Sequence, residues 1–164
     1  MAKSKESSLW YCVARLACRP AELEERADLA FEDSQDAAGH TREATVGNDQ
    51  GQRYWLVFHP DASGAGAGIE MRIRHDAGDP AILLDAGLQV LGLSSKDLSW
   101  IHPDAELVPW AVWRQDDHGN QFLVTVARCR SDAARLADAY EAKGHKQLYW
   151  IEQAQVADVD EESP

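Results

Sequence analysis

The run from Trp110 to Glu152 constrains the fold more than any other part of the chain. Trp110 to Gln115 and Gln121 to Arg128 are rich in the aromatic and β-branched residues that favour strands. Between them stands Asp116-Asp117-His118-Gly119-Asn120, a stretch composed of turn formers. Ser131 is a good helix N-cap, Leu136, Ala137 and Tyr140 fall on one helical face, and Gly144 supplies the stop. Gln147 to Glu152 is apolar and aromatic again. The sequence therefore predicts a hairpin, a helix and a closing strand.

Upstream, Leu9 to Ala17 reads as a strand, and Pro20 suits the first position of a helix. Leu23, Ala27, Ala30 and Phe31 form a helical stripe that predicts a helix running to Gly39, with Glu22, Glu24, Glu25 and Asp28 near its N-terminus, where the macrodipole favours anions. Thr41 to Val46 and Gln52 to Phe58 flank Gly47-Asn48-Asp49-Gln50-Gly51, a hairpin signal. Residues 59–68 predict a loop, and Ile69 to Arg74 alternates as a half-exposed strand. Asp79 and Pro80 supply the N-cap and first position of a second helix, Ala81 to Leu91, ended by Gly92. That helix is apolar on most of its circumference, which marks it as the most buried. Ser99 to His102 predicts a short strand and 103–109 a connector. Two similar stretches, Val13-Ala-Arg-Leu-Ala-Cys18-Arg19 and Val124-Thr-Val-Ala-Arg-Cys129-Arg130, each lead into a helix with a Gly-His pair beyond it. They suggest a faint internal repeat.

Leu, Ile, Val and Phe make up about a fifth of the 164 residues, near the level at which a highly charged chain stays disordered. The periodic patterning, with six Trp and four Tyr, argues for a folded core. These signals predict one compact α+β body over 9–153, with possible sub-halves 9–103 and 108–153. A flexible leader is expected over 1–8 and a disordered acidic tail over 154–164. The net charge is −12. Four acids of the tail, Asp158, Asp160, Glu161 and Glu162, account for a third of it. The rest still repels nucleic acid and anionic membranes, because both are bound through Lys and Arg. Leu9 to Ala17 is too short and too broken by Arg15 for a signal peptide or a membrane span. Cys12, Cys18 and Cys129 lack zinc-site or disulfide-framework spacing. A soluble bacterial protein with a reducing, cytoplasmic setting is the expectation.

Few constellations suggest chemistry. Gly64-Ala-Gly66-Ala-Gly68 lacks the Lys-Ser/Thr and the following helix of a phosphate loop and reads as a connector. The six His at 40, 59, 75, 102, 118 and 145 show no metal-ligand spacing, and His40 and His145 read as helix C-terminal residues. No cofactor or metal is expected. Asp117 and His118 could pair a base with a carboxylate, but neighbours in a tight turn usually point apart. They are the residues a small hydrolase would use, with His59 as a further candidate base.

The apolar content of both faces of the final hairpin is the best functional pointer. If Asp116 faces Gln121, then Trp113 faces Val124 and Ala111 faces Val126. Ala111, Trp113, Phe122, Val124 and Val126 would share one face, to be covered by the helix from Ser131. Trp110, Val112, Arg114, Leu123 and Thr125 would form the other. Leu148 and Trp150 would extend one side, and Tyr149 and Ile151 the other. This second face needs a second layer, which helix 81–91 could supply, or a partner or ligand.

The segment 110–152, with its closing Gly144-His145-Lys146-Gln147 and Tyr149-Trp150, resembles small bacterial SPOR-like proteins. The resemblance implies a ferredoxin-like or SPOR-like α/β sandwich of antiparallel strands with about three helices. It also implies a glycan-like ligand, because SPOR domains bind peptidoglycan strands on an open sheet face. Sequence reasoning therefore predicts a non-catalytic binding or regulatory module that meets a protein or glycan-like ligand through Trp110, Arg114, Leu123 and Tyr149. A hydrolase and an oligomerisation or structural subunit are the alternatives.

Overall fold

The structure, a computed structural model, describes residues 9–36, 39–64, 67–144 and 146–155. The leader over 1–8, most of the acidic tail and His145 lie outside the described residues. The chain divides between Glu106 and Leu107 into two compact units. Both are antiparallel sheets with helices, so the protein is α+β.

The N-terminal unit contains β1 (Trp10–Leu16), α1 (Pro20–Arg26), β2 (Glu32–Asp36), β3 (Gly39–Gly47), β4 (Arg53–Phe58), β5 (Ile69–Arg74), α2 (Pro80–Val90) and β6 (Leu98–Ile101). Its six strands lie in the order β2-β3-β4-β5-β1-β6, each antiparallel to its neighbours. The predicted hairpin β3-β4 forms around Gly47 to Gln52. The Asn48 side chain accepts the Gln50 and Gln52 amides there at 3.1 and 3.0 Å. Asp79 caps α2 by accepting the Ala81 amide at 2.9 Å.

The register places Leu56, Met71, Ala14, Leu16, Ile69 and Ile73 on one face of this sheet, where all are buried. α2 covers this face with Leu83, Leu84 and Leu88. The Tyr54 hydroxyl donates to the Leu83 carbonyl at 2.7 Å, and Gly87 meets the Tyr54 ring and the Met71 sulfur. Ile82 points away and is exposed. Gly68, the last glycine of the predicted connector, has φ +101°, and a Cβ there would lie 2.3 Å from the Leu16 carbonyl oxygen. Close strand approach, not phosphate binding, is what requires a glycine there.

Two upstream expectations need correction. The first helix stops at Arg26 instead of reaching Gly39, because Ala27 is extended (φ −125°, ψ 149°) and the chain folds back. Glu24 accepts the Phe31 amide at 2.9 Å, Phe31 is buried, and Glu32–Asp36 pairs with β3. A ladder of backbone bonds outweighs local helix propensity, and the charged composition of β2 suits an edge strand. His40 accordingly lies in β3 beside Asp33, 3.3 Å away, and caps no helix. The first half of the suggested repeat thus loses its Gly-stopped helix. β5, moreover, is an interior strand with Glu70 buried, not half-exposed.

The C-terminal unit contains β7 (Trp110–Gln115), β8 (Gln121–Ala127), α3 (Arg130–Glu141) and β9 (Leu148–Gln153), in the expected order. The helix begins earlier than predicted: Cys129 is its N-cap and Ser131 lies buried inside it. The strand order is β8-β7-β9, with β7 antiparallel to both neighbours. β8 and β9 therefore run parallel on either side of β7 and are joined through α3, a split β-α-β unit.

Candidate functional site

In the C-terminal unit the bulge decides which face is which. Val112 pairs with Thr125, but Trp113 pairs with Leu123, leaving Val124 between them. One extra residue on β8 breaks the expected Trp113 to Val124 pairing. α3 does not cover the Ala111 and Trp113 face. It covers the opposite one, where Val112, Ala127, Ala133, Ala137 and Tyr149 form a buried cluster flanked by Trp110, Val124, Tyr140 and Ile151. Ala133 and Ala137 have no side-chain bulk to hold the helix off the sheet. Tyr140 stacks on Tyr149 with ring centroids 5.4 Å apart, and Leu136, expected inward, is exposed.

The four candidate residues therefore separate. Trp110 and Tyr149 pack in the core under α3, and the Arg130 guanidinium lies 5.5 Å from the Trp110 ring. Arg114 lies over Phe122 at 5.1 Å. Leu123 pairs with Trp113 on the face away from α3. On that face Trp113 and Trp150 are directly opposed, with centroids 6.4 Å apart and planes 13° from parallel. The Trp113 Nε1 is buried without a hydrogen-bond partner among the described residues. Asp117 and His118 are exposed in the β7-β8 turn. The neighbouring Asp116 organises this turn by accepting the amides of His118 and Asn120 and the Asn120 side chain, each at 2.9 Å. These bonds, the Asn120 side chain's foremost, hold the Asp116 carboxyl below its ordinary range.

Among the described residues a further polar constellation lies on the face of the six-stranded sheet opposite α2. Arg15 of β1 is the cross-strand neighbour of Glu70 on β5, and Val57 of β4 flanks Glu70 on its other side. One rung along, Cys12, Arg72 and Trp55 line up in the same way. Period-two geometry brings these side chains to one face.

Glu70 is only 9% exposed. Arg72 donates to its Oε2 through Nε at 2.8 Å and also through Nη2. Arg15 Nη2 stands 3.3 Å from Oε1. His59, just after β4, places Nε2 3.9 Å from Oε2. The Arg72 guanidinium also lies 4.8 Å from the Trp55 ring centroid, and Trp10 meets Trp55 edge to face at 6.0 Å. Burial, reinforced by the Glu70 charge and opposed by Arg15 and Arg72, pushes the Cys12 thiol up to about 11. The thiol therefore stays protonated near neutral pH and is not a ready nucleophile.

Sequence reasoning singled out none of Glu70, Arg72, Arg15, Trp55 or Trp10. The legible signal was the alternation Glu70, Arg72, Arg74 on a predicted strand. What brought Arg15 and Trp55 to it was the strand order, which no local pattern encodes. Among the described residues no group of three His, Cys, Asp or Glu could hold a metal ion, and no helix is long and apolar enough to cross a membrane. No protein-family model, curated protein or solved structure matches the chain.

Proposed function

We propose that the protein is a non-catalytic binding module whose ligand lies on the sheet face opposite α2, over Trp55 and against Arg72, Arg15 and His59. The observation that carries this reading is the convergence of two guanidinium groups and an imidazole on one buried carboxylate beside an indole. Planar guanidinium forks recognise polar groups with fixed geometry, and indole surface accepts flat or apolar bodies. Binding is favoured over catalysis because the Cys12 thiol is held protonated. A cytoplasmic setting goes with this reading, supported by the thiols of Cys12 and Cys18.

Amide-shift mapping and Trp fluorescence against small organic acids, nucleotides and envelope glycans test it. Shifts centred on Arg15, Trp55 and Arg72 are expected. A response confined to other residues, or none across the panel, refutes it.

A second reading is favoured by the Trp113 and Trp150 pair. The split β-α-β unit fits the ferredoxin-like, SPOR-like resemblance, and parallel indoles on the face away from α3, with Leu123 beside them, suit the flat faces of sugar rings. On this reading the ligand is an envelope glycan, and Trp150→Ala abolishes binding to peptidoglycan strands while Arg72→Gln leaves it intact. The reverse pattern of losses eliminates it.

A further inference from the structure

We infer that β9 is a self-association edge. Two copies of the chain pair their β9 strands antiparallel about a two-fold axis, with Tyr149 opposite its own copy, and join two three-stranded sheets into one. The inference is independent of the Glu70 face and concerns the C-terminal unit alone.

Among the described residues the two sheets end on four edge strands, which differ in how they refuse a further strand. β2 carries Glu32 and Asp33, β6 is four residues long, and β8 is bent by its bulge at Val124. Charge, shortness and bulges are the usual means of blocking an edge. β9 has none of these in its paired span. It runs for six residues in an unbroken register with β7 and opens on Leu148, Tyr149, Trp150 and Ile151. No described strand lies on its outer side, so alternate residues there leave backbone N–H and C=O groups without a ladder partner. Leu148, at the start of this edge, is 60% exposed.

A second copy is the occupant because the edge is complementary to itself. About a two-fold axis every contact is made twice, and residues directly opposite share a face of the sheet. With Tyr149 on the axis, Leu148 meets Trp150 of the second copy, on the face of the Trp113 and Trp150 stack. On the same face Lys146, two residues before β9, meets Glu152 of the second copy. Lys146 and Glu152 are exposed and make no ion pair among the described residues. Within one copy they stand about 20 Å apart along the strand, so they reach each other only between copies. Residues 107–155 carry six Lys and Arg against six Asp and Glu. Unlike the chain as a whole, at −12, this stretch does not repel its own copy.

One strand from each copy buries little area, so the dimer is expected to be weak. The full chain is followed by sedimentation velocity and amide shifts from about 5 to about 500 μM, a range suited to so small a contact. The average mass should rise with concentration toward that of two chains, with shifts centred on Leu148 to Glu152. Leu148→Lys places an edge-blocking charge at an exposed position and should weaken association about tenfold or more while leaving the circular dichroism unchanged. Lys146→Glu and Glu152→Lys each set like charges opposite one another and should weaken it several-fold. The double reversal should restore it. A chain that stays monomeric across the range overturns the inference and would leave the edge to a strand of another protein. Association that Leu148→Lys leaves unchanged also overturns it, as does a double reversal that associates no better than either single variant.

Discussion

Cys12 illustrates how one residue's behaviour is set by residues distant in sequence. Its thiol lies beside Arg72 on the adjacent strand and donates to the Ala14 carbonyl at 3.3 Å. Burial and the Glu70 charge together hold it near 11. Its reaction with a disulfide reagent is expected to stay slow at pH 8 and to rise only near pH 11, and Glu70→Gln should speed it at fixed pH. Thiol-release kinetics across a pH series check this, and an inflection near pH 8.5 in the wild type would refute it. Tyr54, raised by burial to about 12, acts in the same direction. Both groups keep their protons in the folded state at pH values where the unfolded chain has released them. The stability they supply is whole below their ordinary values of 9.0 and 10.0 and is lost as pH rises through about 11 and about 12. Thermal unfolding followed by circular dichroism should therefore show a falling midpoint above pH 9, shallower in Tyr54→Phe.

Among the elements, α2 and α3 reach their sheets by different devices. α2 depends on Gly87, where a Cβ would sit 2.8 Å from Tyr54 Cε1 and 3.1 Å from the Met71 sulfur. Gly to Ala inside a helix ordinarily gains about 1 kcal/mol. Here the Tyr54 ring cannot yield without breaking its bond to the Leu83 carbonyl. Overpacking wins, and Gly87→Ala should destabilise by about 1 to 3 kcal/mol in a urea titration. α3 depends on Ala133 and Ala137 beneath it and on Tyr149 as the largest buried side chain of its cluster. Tyr149→Ala should cost about 3 to 5 kcal/mol, as for other large aromatics. Tyr149→Phe should cost about 1 kcal/mol or less, because its hydroxyl bond to Gln147 is 3.2 Å long. Comparable losses in the two variants would show that the hydroxyl, not the ring, carries the contribution.

At the scale of the whole molecule, each sheet draws all its strands from one side of the Glu106 to Leu107 boundary, and Glu106, Val108 and Pro109 are exposed. Cleavage after Glu106 by a glutamate-specific protease is expected to leave two fragments with dispersed amide spectra. The C-terminal fragment should melt first, since its core is small and rich in alanine. Collapse of both spectra on cleavage would refute the division. The sequence by itself determined most of the elements: both hairpins, the Asp79-Pro80 start of α2, the order hairpin, helix, strand at the C-terminus. These are written in local turn, cap and period signals, which act over a few residues. Tertiary structure decided the rest. Glu32–Asp36 became a strand because β3 offered it a ladder. A bulge at Val124 and two alanines put α3 over Trp110 and Tyr149, covering the face that sequence reasoning had reserved for a ligand. Arg15, Trp55, Arg72 and Glu70 became one cluster because β1 lies next to β5. The β1 to β5 pairing joins Arg15 to Glu70 and Cys12 to Arg72, residues more than fifty positions apart, and such a contact leaves no mark in the local pattern of either segment. The shorter-range pairings were settled by which strand offered a free edge and where the bulge fell.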